Sequence, residues 1–263
     1  MKRTGLTLIE LLVVIAVIAL LIFLSVTATR IAREQARAVQ CASNIRQLGL
    51  VLSMYETDNG TFPYGYRIAF KKPPGGPIGD HTCDKPGWWW FNYAEIYYKN
   101  DGKESVTCCP SKRLDRHSSF ENVLRANYGV NQSVCKNYHL SSPSGEEFFG
   151  RPLGLGNIPS PSRTLLLVDA GYALLNWHHV TDKPPVELGT RIEDASYLPG
   201  LEINKGKDIW EDHVRDAVLG RHPGRTVNAG FVDGGVSRVK AGELAVYKSD
   251  DGYRNRRRLW TPE

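Results

Sequence analysis

The segment from Leu6 to Ala28, LTLIELLVVIAVIALLIFLSVTA, runs for 23 residues with Glu10 as its only charge. At 1.5 Å of rise per residue, a helix of this length crosses a hydrocarbon core about 30 Å thick. The rest of the chain is ordinary. Of its 263 residues 41% are hydrophobic and 23% charged, which excludes both a multi-pass membrane protein and a disordered chain. The sequence therefore describes one membrane span attached to a water-exposed body. Glu10 is the anomaly in that span, because a carboxylate at bilayer depth costs several kcal/mol unless it is neutralised, interfacial or paired. In a helix beginning at Leu6, a free α-amine of the same or a neighbouring subunit would lie close enough to neutralise it.

The helix does not stop where the apolar run ends. Ile31, Ala38, Ala42, Ile45, Gly49 and Leu52 recur at steps of three, four and seven, while Arg33, Glu34, Arg37 and Arg46 take other faces. No proline precedes Pro63. This spacing predicts one helix from about Leu6 to about Tyr55, roughly 75 Å long. Asp58-Asn59-Gly60 then provides a turn, and Pro63 prevents continuation.

Lys2-Arg3-Thr4-Gly5, followed by Leu6-Thr7-Leu8-Ile9-Glu10 and the aliphatic run, resembles the leader of type IV pilins and type II secretion pseudopilins. The resemblance implies cleavage after Gly5 by prepilin peptidase, methylation of Leu6 as the new N-terminus, and a role for Glu10 in registering subunits during assembly. The family's usual first mature residue is Phe, where this chain has Leu6. An ordinary secretory signal peptide, cut at Val26-Thr27-Ala28, and a plain single-pass anchor are the competing readings. The acid inside the apolar core and the unbroken amphipathic continuation oppose the first of these. Lys2 and Arg3 on one side and Arg30, Arg33 and Arg37 on the other leave the positive-inside rule undecided. A cytoplasmic N-terminus and a periplasmic head at a bacterial inner membrane follow from the resemblance alone.

The division of the chain is a leader at 1–5, a transmembrane helix at 6–28, an amphipathic stalk at 29–57 and an extracytoplasmic head at 58–263. In the head, Pro73-Pro74-Gly75-Gly76-Pro77 and Ser141-Ser142-Pro143-Ser144-Gly145 mark loops. Trp88-Trp89-Trp90-Phe91 with Tyr93, Ile96, Tyr97 and Tyr98 reads first as a packed core element and second as a sugar platform or subunit contact. Arg163–Asp169 is a short apolar run bounded by Pro161 and Gly171, as a central strand would be. Thr226–Val232 and Val236–Lys240 flank Asp233-Gly234-Gly235, a strong hairpin signal. The expected fold is α+β and pilin-like, a long N-terminal helix packed on an antiparallel sheet with long loops.

Further stretches resemble a pilin-like subfamily, the prepilin-processing-associated proteins with a His-x9-Asp-Gly motif. They are Cys41–Gly49, Cys109-Pro110-Ser111, Asn127–Asn131, Ile158–Thr164, Arg221-His222 and Asp233-Gly234. Ten residues, not nine, separate His222 from Asp233, which fits a longer loop at Pro223-Gly224 or a bulge at Ala229-Gly230. The motif residues His222, Asp233 and Gly234 are read as structural.

The five cysteines suit disulfides among Cys83, Cys108, Cys109 and Cys135 in an oxidising compartment, with Cys41 on the stalk free or intermolecular. His178, His179, His213 and His222 with Asp169 and Asp233 could be assembled on paper into a metal or acid–base site. No Cys-x-x-Cys, His-Glu-x-x-His, Gly-x-Ser-x-Gly or phosphate-loop spacing supports one. No metal, cofactor or catalytic group is therefore expected. Removing the two leader charges leaves 31 basic against 28 acidic side chains, too small an excess to argue for nucleic acid. The arginines at 254 and 256–258 read as a solvated tail. The expected function is a non-enzymatic filament subunit whose partners are prepilin peptidase, other pilin or pseudopilin subunits and the membrane. A tethered module binding carbohydrate through Trp88, Trp89 and Trp90 is the alternative.

Overall fold

The computed structural model describes residues 7–68, 87–95, 97, 106–111, 127–138, 147–185 and 196–262, with the side chain of Asp212 excepted. Gly5, Leu6, Cys83 and the two loops predicted at 73–77 and 141–145 lie outside these residues.

Thr7 opens helix α1 (Leu8–Asn59) with a capping box. Its hydroxyl accepts from the Glu10 amide at 3.3 Å, while its own amide donates to Glu10 Oε2 at 2.8 Å. The helix continues unbroken for 52 residues, about 78 Å by helical rise. It ends four residues later than the sequence suggested. Asp58 and Asn59 complete the last turn, and Gly60 caps it in the left-handed region at φ 73°, with its amide on Glu56 O at 2.7 Å. Within the apolar half, Ser25, Thr27 and Thr29 return their hydroxyls to the carbonyls of Leu21, Phe23 and Ser25. Those polar groups need no partner outside the helix.

The second half of α1 packs through Ala38, Cys41, Ile45, Leu48 and Leu52, all fully buried and separated by three, four, three and four residues. This corrects the predicted face, because Ile31 is exposed and Ala42 only half-buried, and Cys41 and Leu48 take those places. The contacted surface is a five-stranded sheet of β3 (Tyr128–Asn131), β4 (Leu165–Asp169), β5 (Leu174–Leu175), β6 (Thr226–Phe231) and β7 (Val236–Lys240). The strand order is β5-β3-β4-β6-β7, antiparallel except for the β3–β5 edge pair, which is parallel. All five residues of β4 are buried, as expected of a central strand with a core on each face. Leu166 and Leu167 join the core beneath α1, while Leu165 and Val168 join a second core with Trp177 and Trp260.

Ile45 sits against β6 so closely that a Cβ on Gly230 would lie 2.7 Å from its Cγ2, so a glycine is required at this crossing. The hairpin from β6 to β7 turns through Asp233, whose Oδ1 accepts from the Gly235 amide at 2.9 Å, and Gly234 at φ 85°. Among the described residues two shorter ladders accompany this sheet. One pairs β1 (Tyr66–Ile68) with β2 (Gly87–Trp89), which leads into the short helix α2 (Trp90–Ala94). The other pairs β8 (Tyr247–Ser249) with β9 (Gly252–Arg254). Helix α3 (Glu211–Leu219) precedes β6.

Trp89 and Trp90 are buried, as the first reading of that run as a packed core element requires, with Trp90 Nε1 donating to Ala173 O at 2.9 Å, which leaves no exposed platform of three rings. One expectation changes. Arg256 is not simply solvated, since it pairs with Glu147 at 2.8 Å and lies over the Trp177 ring at 4.8 Å.

Candidate functional site

Among the described residues two places carry chemistry, one at each end of the relationship between helix and head. The first is the start of α1. Glu10 accepts from both the amide and the hydroxyl of Thr7, each at 2.8 Å, so its carboxylate faces the helix N-terminus, where the macrodipole favours negative charge. Around and beyond it the side chains from Leu8 to Val26 are exposed and apolar. The helix is long and apolar enough to cross a membrane, and none of its most apolar stretch is buried in the molecule.

The second place is buried where α1 meets the sheet. Cys41 comes from the packed stripe of α1, Cys109 from the segment 106–111, Asp169 from the last position of β4, and His222 from the approach to β6. All four are buried, and one donor atom of each lies within 4.8 Å of the others. Cys41 Sγ is 2.9 Å from Cys109 Sγ and 3.1 Å from Asp169 Oδ1. His222 Nε2 is 3.1 Å from Asp169 Oδ2 and 3.9 Å from Cys109 Sγ. Among the described residues no other group of three or more such side chains converges in this way.

A surrounding layer holds these four in place. The Asn228 amide donates to Asp169 Oδ2 at 2.6 Å, and its side-chain nitrogen reaches both Ala38 O at 3.2 Å and His222 Nε2 at 3.1 Å. Tyr128 OH lies 3.1 Å from Cys41 Sγ. Arg221, fully buried, is clamped by Asp216 and donates to the carbonyls of Asn127 and Ala170, which fixes the chain just before His222.

The electrostatics are those of coupled acids and bases in a dry setting. Burial pulls His222 down, but the Asp169 carboxylate and Cys109 hold it up at about 9. Burial raises Asp169, yet hydrogen bonding and charge from His222, with the charge of Arg221, keep it below the usual carboxylate range. Burial likewise raises Cys109, but bonds from Cys41 and His222 bring it down to about 6, whereas burial and the neighbouring negative groups push Cys41 far up. The shifts favour the ionised forms of Cys109, Asp169 and His222, all of them buried.

His222 therefore finds its carboxylate in Asp169, not in Asp233, which is exposed in the hairpin turn. His178, His179 and His213 stay apart from this cluster. Cys41, Cys109 and Cys135 form no disulfide in this structure. Cys41 is not on the stalk surface, where a second subunit could reach it, but faces Cys109, and Cys135 is fully buried in the apolar core beneath α1. The missed signal was periodicity. Cys41 lies three residues after Ala38 and four before Ile45, on the face that turns inward.

Comparison with known proteins adds two similarities. A family described as a protein of unknown function (DUF1559) matches residues 30–91. The type II secretion system core protein G of Pseudomonas aeruginosa is 32% identical over 79 residues, 29% of this chain and 56% of that protein. The chain thus spans about half the length of the curated relative that it matches. No solved structure matches.

Proposed function

We propose that this chain is a pilin-like subunit, anchored in a membrane by the apolar half of α1 and assembled with other such subunits through that half. The observation that carries the reading is the continuity of one helix across two environments. From Leu8 to Val26 its side chains are apolar and exposed, and from Ala38 to Leu52 the same helix is a buried element of the head. A soluble protein would not leave that much apolar helix in water, because burial is worth about 25 cal/mol per Å². In a filament core or a bilayer the exposed half is satisfied by packing against neighbouring helices. The similarity to a type II secretion protein supports the same reading.

The finer steps extend it. Prepilin peptidase cuts after Gly5, Leu6 becomes the methylated N-terminus, and the new amine meets the Glu10 carboxylate of its own or an adjacent subunit. The capping contact with Thr7 aims that carboxylate toward the end of the helix where the amine would appear. The N-terminus is cytoplasmic and the head extracytoplasmic, and the head acts as a structural unit rather than as an enzyme. The test is to co-express the chain with a prepilin peptidase and read the N-terminus by mass spectrometry. Loss of Met1–Gly5 and gain of one methyl group are expected. Recovery of peptides that still contain Lys2-Arg3 would sink the reading.

A further inference from the structure

We infer that Cys41, Cys109, Asp169 and His222 form a binding site for one thiophilic divalent cation, with zinc the ion that the donor set fits best. Two sulfurs, one imidazole nitrogen and one carboxylate oxygen make four donors, the number and kind that a closed tetrahedral site uses. Calcium and magnesium require oxygen ligands throughout, so this set selects against them. In a tetrahedral zinc site with bonds of about 2.0–2.3 Å, neighbouring ligand atoms stand roughly 3.3–3.8 Å apart. Four of the donor contacts here measure 2.9, 3.1, 3.1 and 3.9 Å; to admit an ion the two sulfurs open from 2.9 Å to about 3.8 Å, and Asp169 presents one oxygen in place of the two that now face Cys41 and His222.

The surroundings suit the bound state. An ion with two thiolates and one carboxylate carries a residual negative charge. The Tyr128 hydroxyl at Cys41, the Asn228 amide at Asp169 and the nearby buried Arg221 all act against that charge. A Cys41–Cys109 disulfide would use two of the four groups and gives no reason for a carboxylate and an imidazole to converge on the same point. A cation uses all four.

The site would join four chain segments that are distant in sequence: α1, the 106–111 segment, the end of β4 and the approach to β6. Its consequence is mechanical. Metal binding would fasten the stalk helix to the sheet at the first turns where the two meet. Binding to the folded state alone would add stability in proportion to occupancy. This inference does not depend on how, or whether, the chain assembles into filaments.

The experiment uses the full chain, purified in detergent with a reductant and without chelators. Elemental analysis should find about one zinc per chain. After exchange with cobalt, a thiolate-to-cobalt charge-transfer band and intense tetrahedral visible bands should appear. Cys109→Ser and Asp169→Asn should abolish or shift those bands, and Cys135→Ser, at a buried cysteine outside the cluster, should leave them unchanged. Chelation should lower the thermal midpoint of the wild-type chain and not that of Cys109→Ser. The wild-type cobalt spectrum decides the matter even if a variant fails to fold. Weak octahedral bands without charge transfer would overturn the proposal, as would two free thiols with no bound metal. A metal-free chain two hydrogens lighter, with Cys41 and Cys109 in one linked peptide, would overturn it in favour of a disulfide.

Discussion

The two halves of α1 share one backbone and almost nothing else. From Leu8 to Val26 the helix is apolar except for Glu10 and Ser25 and is exposed on every side, whereas from Ala38 onward one stripe, Ala38, Cys41, Ile45, Leu48 and Leu52, is fully covered by the head while Val39, Leu50 and Met54 stay exposed. The first pattern suits an environment that is the same all round, and the second suits a boundary between protein and water. Sequence differences of this kind set where a helix ends being an anchor and starts being part of a fold, without any break in its hydrogen bonds.

An identical substitution on each side of that divide gives the largest contrast. Ile45→Ala removes buried volume between α1 and β6 and is expected to cost about 2–5 kcal/mol of head stability. Ile18→Ala should leave the denaturation midpoint of the head unchanged, as measured by urea titration in detergent. Equal losses at both sites would break the comparison. A smaller effect tests the same crossing from the sheet side. Gly230→Ala, which forces a Cβ to within 2.7 Å of Ile45 Cγ2, should cost about 1–3 kcal/mol. The double variant with Ile45→Ala should be less unstable than the sum of the two.

Acid should act on the head and spare the anchor. Burial, aided by the charges of Lys207 and His178, lowers His179 from 6.5 to about 3. A histidine depressed in the folded state stabilises it above its unfolded value. That contribution is lost as the pH falls from 6.5 toward about 3. Between pH 6.5 and pH 5 the loss should be on the order of 1 kcal/mol. It should be smaller in His179→Gln, and the helical circular dichroism of the anchor should persist. The smallest effect is at the helix start. Thr7→Ala removes a cap worth about 1 kcal/mol locally. It should raise amide exchange in the first turn without moving the thermal midpoint of the head.

Local signals carried much of the fold. The apolar run, the strand ending at Asp169 and the hairpin through Asp233-Gly234 are properties of contiguous residues, and the structure has each of them. The parallel pairing of β5 with β3 depends on how the chain returns to the sheet edge, and no short stretch encodes it. The cluster of Cys41, Cys109, Asp169 and His222 was hidden for the same reason. Consecutive members are more than fifty residues apart, so no ligand-spacing motif exists to be read. Asp169 looked like the end of a strand and Cys41 like a stalk residue. Only the packing of α1 across β4 and β6 shows that they share a point.

The start of the buried stripe at Ala38 has one more consequence. Between the end of the apolar run at Ala28 and Gln35, which accepts a 2.7 Å hydrogen bond from Arg238 of β7, the helix stands free as a short rigid axle. Each residue in it sets both a height and a bearing, about 1.5 Å and 100°. The direction in which Glu10 points and the direction in which the head faces are therefore geared together. A single residue inserted near Arg33 would turn the head by about a quarter of a circle relative to Glu10 and leave every contact on either side intact.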